Sequence, residues 1–402
     1  MRSVLFVGAG RHQRRAIRRA RDLGLRVVAV DRNPDALGLV EADVPEVVDF
    51  QDVEGVTAVA ERHGVDGVLT ISADRAVPVV AAVAEALGLP GIGTETAQRM
   101  THKARMRGAL RDAGVPQPPW AAVETLEAAR AALPEVGLPA VLKPADSGGQ
   151  RGVVQIHARE DLEREWDATI RESATGVALL EAFVEGMELN GLVIARDGRA
   201  EPLTLSDRRR PPGVGFGVGW MHVYPPTIPA EQTAAAEAIA ARTVEALGLR
   251  DGIGFPQLIA SPDGGVVVVE CAARIPGGQM GDLAFHATGV DLVEVQIRFA
   301  LGERLPDELV RPRVRQPLAI RFFTAQPGPL PTGHVRALGS LEPVLEAPGV
   351  VQADSYLVVG ETIRPVRLDG DRRGYVIATA DTNVEALERA EAAARRYRVE
   401  VA

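Results

Sequence analysis

The sequence predicts a multidomain α/β and α+β protein whose first domain is a doubly wound parallel sheet. Its 402 residues exceed what one ordinary hydrophobic core holds, so two or three domains are expected. Apolar runs alternate with helical spacing over roughly the first ninety residues, and this βαβα order is typical of a parallel sheet wrapped by helices. The strands that follow look antiparallel, with short loops between them.

Two changes of pattern divide the chain into three domains, at 1–96, 97–312 and 313–402. The first domain is predicted to contain strands Val4–Val7, Val27–Val30 and Gly67–Ile71 and the helix Val77–Leu87. The second is predicted to contain strands Ala140–Pro144, Val153–His157, Val177–Phe183, Leu189–Ala195 and Val266–Cys271, with helices at Asp161–Glu172 and Glu231–Leu247. A Pro/Arg linker at Arg311–Pro317 precedes short strands and the helix Val384–Arg396.

The overall charge argues against polyanionic partners. The net charge is -9 and the pI is about 5.5, which disfavours nucleic acid and anionic membranes, so an anionic substrate must be held by a local positive pocket. No stretch is apolar for long enough to span a bilayer. A single cysteine, Cys271, excludes an intrachain disulfide and favours a cytoplasmic protein.

The distribution of lysine is unusual. Of the 45 basic residues 43 are arginine, and only Lys103 and Lys143 are lysine. Arginine bias alone would leave a few lysines at arbitrary places. Alternatively, these two positions need a compact ammonium that a planar guanidinium does not replace.

A short glycine motif follows the first predicted strand. Gly8-Ala9-Gly10 begins like a dinucleotide fingerprint, and Asp31 lies about where a ribose-binding acid would stand, but Gln13 occupies the third glycine position. We favour a tight turn in a doubly wound domain that binds no NAD.

A second glycine-rich segment, Ser147-Gly148-Gly149, follows Lys143 and lies between two predicted strands. Such a loop can fold over a triphosphate and offer backbone N–H donors, while the preceding lysine contacts phosphate oxygens as a point charge. The lysine comes before the glycines, so this is not a Walker loop. The alternative is an ordinary glycine-rich hairpin.

The segment after the next strand has features of an adenine site. Backbone groups of an extended linker at Glu181–Val184, which includes Phe183, would supply the donor and acceptor that adenine needs, and Glu188 would bind the ribose hydroxyls. The alternative is that Glu181 and Glu188 are two solvated acids at a strand end.

A hairpin near residue 264 predicts a metal site. If Asp263-Gly264 is a two-residue loop, Gln257 and Glu270 face each other across the ladder, about 5 Å apart. Their amide and carboxylate oxygens suit Mg²⁺. The two-residue period of a strand places Arg274 on the same face as Glu270, where it would stabilise charge during phosphoryl transfer. The alternative is a hairpin with a solvated polar face.

Together these motifs resemble those of the ATP-grasp superfamily of carboxylate–amine ligases over roughly the whole chain. The resemblance implies an ATP-grasp fold with an N-terminal pre-ATP-grasp domain and a C-terminal lid. It implies that Lys103, Lys143 and the glycine loop bind ATP phosphates, and that Gln257 and Glu270 bind one or two Mg²⁺ ions. Ala272 stands where the family usually has a metal-binding asparagine, so either water or substrate phosphate would fill that place or that metal would bind more weakly.

The segment Arg274-Ile275-Pro276-Gly277-Gly278 is most similar to that of L-amino acid ligases and related peptide-forming enzymes. We expect Gly277 and Gly278 to aim N–H groups at an oxyanion. The stretch Asp207–Tyr224 is predicted to be a mobile loop whose His222 and Tyr224 contact substrate, although His222 is as readily structural. Asp74 would hold a substrate amino group or, alternatively, cap a helix.

The sequence therefore predicts an ADP-forming ligase that joins a small carboxylic or amino acid to an amine through an acyl phosphate. Its partners would be small-molecule carboxylates and amines, with no nucleic acid or membrane, and a homodimer is possible. Three alternatives stay open: a purine-pathway or carboxylase-like ligase, an NAD-binding oxidoreductase, and a nucleotide-binding protein that has lost catalysis.

Overall fold

The computed structural model of the chain describes residues 1–214 and 217–402. Its N-terminal part is a four-stranded parallel sheet in the order β3-β2-β1-β4. The elements are β1 (Ser3–Val7), α1 (Arg11–Asp22), β2 (Arg26–Asp31), β3 (Val44–Val47), α2 (Val53–His63), β4 (Gly67–Leu69), α3 (Val77–Leu87) and α4 (Thr94–Thr101). Val4 and Phe6 pack in one hydrophobic cluster and Leu5 and Val7 in another, so both faces of β1 are covered by apolar side chains.

A small antiparallel sheet follows, in the order β5-β8-β6-β7. It is built from α5 (Lys103–Asp112), β5 (Trp120–Val123), α6 (Leu126–Val136), β6 (Ala140–Pro144), β7 (Val154–Ile156), α7 (Arg159–Arg171) and β8 (Ala178–Ala182). Helices α6 and α7 contact this sheet, and Leu162 and Trp166 of α7 bury apolar surface in its core.

The remaining elements form one large antiparallel sheet and a three-stranded sheet. They are β9 (Met187–Arg196), β10 (Arg199–Arg209), β11 (Met221–Tyr224), α8 (Ala230–Ala246), β12 (Gly252–Ala260), β13 (Val266–Ala272), α9 (Met280–Thr288), α10 (Leu292–Ala300), α11 (Asp307–Val310), β14 (Leu318–Phe322), β15 (Gly333–Leu338), α12 (Glu342–Leu345), β16 (Val350–Ser355), β17 (Thr362–Ile363), β18 (Gly374–Thr379), α13 (Asn383–Ala394) and β19 (Val399–Val401). The large sheet has eight strands in the order β13-β12-β9-β10-β11-β14-β18-β16, and the smaller sheet has the order β17-β15-β19.

Pairing between β11 and β14 carries the large sheet across the 312/313 boundary predicted from the sequence. Strands on both sides of that boundary share one hydrogen-bonded ladder. The predicted mobile loop Asp207–Tyr224 has its two ends inside β10 and β11, and residues 215 and 216 lie outside the described residues.

The hairpin of β12 and β13 differs from the predicted two-residue loop. Ser261 donates its amide N–H to the carbonyl of Gly265 (2.8 Å), so three residues lie between the last paired positions and the register shifts by one. A β-bulge opposite the Gln257–Leu258 step shifts the register back. Gln257 and Glu270 therefore pair as predicted, although the predicted loop was wrong.

No helix within residues 1–214 and 217–402 combines the length and the hydrophobicity needed to cross a membrane.

Candidate active site

A cavity of about 570 Å³ lies between the small sheet and the large sheet. The predicted nucleotide and metal residues lie along its wall: Lys103, Lys143, Ser147, Gly148, Gly149, Glu181, Phe183, Val184, Glu188, Gln257 and Glu270. These residues come from positions up to 167 residues apart in the chain, between Lys103 and Glu270. Because α5, the β6–β7 loop, β8 and the β12–β13 hairpin converge here, the tertiary fold brings them together.

Lys103 begins α5 and is almost fully buried. Its Nζ donates to the Ser147 carbonyl (2.6 Å) and lies 3.2 Å from Oε1 of Glu270. Its backbone N–H donates to the Ala145 carbonyl (2.6 Å). The first lysine thus joins the glycine loop to the predicted metal site, with a compact ammonium between them.

Lys143, at the end of β6, belongs to a buried charge network. Its Nζ and the guanidinium of Arg107 both contact the carboxylate of Glu181, the latter at 2.6 Å. Burial acts to raise the pKa of Glu181, but the two cations outweigh it and the net shift is downward. Burial lowers the pKa of Lys143, and Glu181 opposes that shift. Glu181 is 3% exposed, so the solvated-acid alternative is wrong for this residue.

The cation Arg107 was not among the predicted site residues. It lies one helical turn after Lys103 on α5, is 1% exposed, and also donates to the carbonyls of Val268 (2.8 Å) and Val269 (2.9 Å). These two carbonyls belong to the irregular part of β13. The i, i+4 spacing from Lys103 was the available signal, but a chain with 43 arginines offers many such pairs.

The glycine loop approaches the N-terminal domain. A Cβ on Gly148 would lie 3.0 Å from Oδ2 of Asp74, and Gly149 has a φ of +67°, where L-residues with side chains are disfavoured. The hydroxyl of Ser147 is buried and has no hydrogen-bond partner among the described residues. The loop therefore offers an unused hydroxyl in a closely packed backbone.

The linker after β8 contains backbone donors that have no partner within the described residues. The amides of Ala182 and Phe183 donate to the carbonyls of Pro119 and Pro139, each at 2.9 Å. Within the described residues, the Val184 amide has no such partner. The Val184 N–H is therefore available to a ligand, and its contact with adenine stays a prediction.

Glu188 is held by arginines. Its carboxylate accepts from Nη1 of Arg208 at 2.5 Å, and Nε of Arg210 lies 3.2 Å away. The solvated-acid alternative is therefore wrong for Glu188 as well. Both arginines belong to the stretch Asp207–Tyr224, where sequence reasoning assigned them no binding role, and both line the cavity.

The paired Gln257 and Glu270 fit a divalent cation. Both lie on adjacent strands, both line the cavity, and the Glu270 side chain is 36% exposed. In the described part of the chain, no three acidic, histidine or cysteine side chains cluster closely enough to hold a metal. The other ligands of a Mg²⁺ ion would therefore be amide, phosphate or water oxygens, which this cation accepts.

Arg274 lies two residues beyond the end of β13, so the two-residue strand period does not extend to it. Its Nε and Nη2 bind Oδ1 of Asp74 at 2.8 and 2.6 Å, while its Nη1 is buried without a partner in the described structure. Among the described residues Asp74 makes no helix-capping bond, so the capping alternative is wrong. Asp74 instead places Arg274 near the glycine loop.

The four remaining substrate candidates fall in different places. His222 is 3% exposed, and its Nε2 lies 3.3 Å from where a Cβ on Gly278 would stand. Burial, with Arg372 and Arg208 nearby, lowers the pKa of His222 to about 3, so the ring is neutral. Gly277 lines a second crevice, of about 600 Å³, beside Ser72.

Tyr224 does not join this group. It is 4% exposed and packs in the hydrophobic core with Leu318 and Phe322. Tyr224 thus packs the C-terminal end of β11 against the core. The prediction that its side chain is available to substrate was wrong.

The C-terminal part of the chain also reaches the cavity. Arg367, Leu368, Asp369 and Gly370 line it, and Oδ1 of Asp369 accepts the Gly219 amide at 2.7 Å. Sequence reasoning missed this segment because no local motif marks it.

The Gly8–Gly10 turn is engaged within its own domain. The Ala9 amide donates to Asp31 (2.9 Å), and a Cβ on Gly10 would lie 3.2 Å from Oε1 of Gln13. The side chain at the third glycine position thus fills the space beside the turn, as the tight-turn interpretation expects.

Comparison with known families matches three consecutive parts of the chain. Residues 17–91 match the ATP-grasp N-terminal domain, 102–308 the ATP binding domain of the carbamoyl-phosphate synthase L chain, and 321–402 the L-amino acid ligase C-terminal domain 2. Fold and cavity together define a protein of the ATP-grasp superfamily. The chain belongs to the family of the carbamoyl-phosphate synthase L chain ATP binding domain, whose match spans more than half of its length.

The chain is also similar to individual proteins of known name over most or all of its length. The chain is 28% identical over 404 residues to formate-dependent phosphoribosylglycinamide formyltransferase of Burkholderia lata, covering 98% of this chain and 95% of that protein. It is 27% identical over 285 residues to alanine–anticapsin ligase of Bacillus subtilis, covering 64% and 59%. The L-amino acid ligase of Bacillus licheniformis has a similar fold, with a TM-score of 0.84 at 21% identity over 100% and 99% of the two chains.

Proposed function

We propose that this chain is an ADP-forming carboxylate–amine ligase that activates a small carboxylic or amino acid as an acyl phosphate and couples it to an amine. The observation that carries the proposal is the convergence of both lysines of the chain on one cavity with Glu270 and Gln257. Two ammonium groups beside an oxygen-ligand pair suit a magnesium triphosphate.

The charges of the cavity support a phosphate-binding role. Lys103, Lys143 and Arg107 carry three positive charges, and Glu181 and Glu270 carry two negative ones. Phosphate oxygens beside Lys143 would supply the missing negative charge and raise the pKa that burial lowers. Mg²⁺ on Gln257 and Glu270 would neutralise charge on the transferring phosphoryl group.

The remaining residues have roles at the reacting end. The unpartnered Nη1 of Arg274 would bind the transferring phosphoryl group, and Asp74 fixes the direction of its guanidinium. The backbone N–H groups of Gly277 and Gly278 would stabilise the oxyanion formed when the amine attacks. Closure of the glycine loop would exclude water from the acyl phosphate.

A phosphate-release assay tests the proposal. The protein is incubated with ATP, Mg²⁺ and paired pools of amino acids and amines, and we expect equal amounts of ADP and phosphate only when both an acid and an amine are accepted. Glu270→Gln is the control, because it keeps the shape of the side chain and removes the charged metal ligand. AMP and pyrophosphate as products would contradict an acyl phosphate route. Nucleotide binding without turnover on any pair would favour a non-catalytic nucleotide-binding protein.

A second candidate substrate class is favoured by the full-length similarity to formate-dependent phosphoribosylglycinamide formyltransferase. In that case the amine would be a ribotide and the acid would be formate. The same assay with formate and a ribotide amine separates the two classes. The match of residues 321–402 to an L-amino acid ligase domain favours the amino acid arm.

We also propose that the protein forms a homodimer. A related fold, the biotin carboxylase domain of 2-oxoglutarate carboxylase from Hydrogenobacter thermophilus, is described as a dimer in complex with MgADP (TM-score 0.78, 22% identity). Light scattering after size-exclusion chromatography should give twice the mass of the 42.7 kDa chain. A monomer at micromolar concentration would contradict this proposal.

A further inference from the structure

We propose that Asn190 is a third protein ligand of the magnesium ion, beside Gln257 and Glu270. The inference rests on the proposed function, since it concerns the metal of the same cavity. It adds a residue of β9 that no sequence motif indicated.

The large sheet places Asn190 in one row with the two predicted ligands. Glu270 of β13 pairs with Gln257 of β12, and Gln257 pairs in turn with Asn190 of β9. Directly paired residues on neighbouring strands project from the same face, with strands about 4.8 Å apart. Three oxygen-bearing side chains therefore stand side by side on the wall of the cavity.

The amide of Asn190 has a defined orientation. Its Nδ2 donates to the sulfur of Met280 (3.9 Å) and lies 3.3 Å from Nδ1 of His222. Its Oδ1 consequently faces Gln257, whose Nε2 lies 3.4 Å away. The contacts made by Nδ2 thus direct the oxygen toward the row.

This oxygen has capacity to bind a cation. Asn190 is 2% exposed, yet from the described residues its Oδ1 receives a single long hydrogen bond, and an amide oxygen has two lone pairs. The second lone pair of this oxygen has no donor within the described residues and is available to a cation. Hard cations such as Mg²⁺ select oxygen ligands of this kind.

The neighbouring position on β13 offers no side-chain atom that could bind a metal ion. Ala272 is the next residue after Glu270 on the same face of β13, and its side chain has no oxygen or nitrogen. The row that ends at Asn190 is therefore the available source of a further side-chain oxygen. Because two of the three protein ligands are neutral amides, the affinity for the ion would depend strongly on the charges of Glu270 and of the phosphate oxygens.

The test measures metal binding directly. Mn²⁺ replaces Mg²⁺, and free Mn²⁺ is followed by electron paramagnetic resonance in the presence of saturating ADP. Asn190→Leu should weaken Mn²⁺ binding about tenfold, while Asn190→Asp, which adds a charged oxygen at the same place, should strengthen it. Ala272→Asn in the Asn190→Leu background should restore most of the lost affinity.

Gln232→Leu is the matched control. It removes a buried amide that binds the carbonyls of Ser261 and Gly265 outside the cavity, and should leave Mn²⁺ binding unchanged. Circular dichroism and ADP affinity in EDTA report on folding and on nucleotide binding without metal. If Asn190→Leu does not fold, Asn190→Asp alone decides, because unchanged or weaker Mn²⁺ binding in that variant overturns the inference.

The outcomes separate the two proposals. A wild-type protein that binds neither ADP nor Mn²⁺ overturns the proposed function and the inference with it. A wild-type protein that binds both, with Asn190→Leu and Asn190→Asp equal to it in Mn²⁺ affinity, overturns only the role of Asn190.

Discussion

Replacing Glu181 by glutamine should destabilise the protein strongly and make its stability depend on nucleotide. Glu181 is 3% exposed and its carboxylate is shared by Arg107 and Lys143. Glutamine has the same shape but no charge, so the two buried cations would lose their common counter-ion. Its amide group would also turn N–H donors toward groups that are themselves donors.

The expected loss is about 3–5 kcal/mol, the usual cost of removing one partner from a buried ion pair. Solvent does not replace the carboxylate, because the cations are as deeply buried as Glu181: Arg107 is 1% exposed and Lys143 is 4% exposed. A loss of this size is a large fraction of the stability of an ordinary domain, which is roughly 5–15 kcal/mol.

Nucleotide should offset part of this loss. Phosphate oxygens near Lys143 would take over the role of counter-ion, so saturating ADP should raise the stability of Glu181→Gln more than that of the wild type. A ligand that binds the folded state stabilises it by an amount set by the ligand concentration and the dissociation constant. If ADP did not act as a counter-ion, wild type and Glu181→Gln with equal dissociation constants would be stabilised equally.

The measurement is guanidinium unfolding followed by tryptophan fluorescence, with and without ADP. Trp120 pairs directly with Glu181 across β5 and β8 and reports on this region. Glu185→Gln, an exposed glutamate four residues along the chain, is the matched control and should change the stability by less than about 0.5 kcal/mol. A loss below about 1 kcal/mol in Glu181→Gln, or equal stabilisation of both variants by ADP, would refute the reasoning.

Three further predictions concern the lysine, the buried histidine and the glycine loop. Lys143→Arg keeps the charge, but the larger planar guanidinium does not fit the space of a lysine side chain that is only 4% exposed. Calorimetry should therefore show ADP affinity reduced about tenfold, and an unchanged dissociation constant would contradict this prediction. The pKa of His222 is lowered to about 3, whereas the unfolded chain takes up this proton near pH 6.5, so below pH 6.5 His222 should cost about 1.4 kcal/mol of stability per pH unit. Unfolding curves at pH 7 and pH 5 should show a smaller acid loss in His222→Asn, and equal losses would argue against a neutral buried ring. Gly148→Ala places a Cβ 3.0 Å from Oδ2 of Asp74 and should slow phosphate release while changing the free energy of unfolding by less than about 1 kcal/mol; wild-type turnover would show that the loop has room.

Local patterns were sufficient for much of the fold. The alternation of apolar runs and helical spacing predicted the strand at residues 4–7 and the helix Val77–Leu87, because both faces of β1 are buried and helix α3 has a continuous apolar face. The short strands β3 and β5 escaped detection, since only one of their eight residues is fully buried and their pattern is weak.

The pairing of Gln257 with Glu270 was predicted by a partly incorrect route. A longer loop and a β-bulge cancel, so the register at this position agrees with a simpler hairpin. A turn sequence constrains the first pairs of a hairpin, whereas bulges depend on packing along the strand. In this case the bulge carbonyls of Val268 and Val269 bind Arg107 from another element.

The sequence by itself determined that lysine occurs only at residues 103 and 143, that a glycine loop follows the second, and that two oxygen-bearing side chains face each other on one hairpin. Only the tertiary structure decided that Arg107 shares Glu181, that Arg208 and Arg210 hold Glu188, and that Asn190 completes the row of oxygens. The physical reason is that these contacts join strands and helices distant along the chain. Their register is set by long-range pairing and burial, and a common arginine or asparagine carries no local mark of its partner.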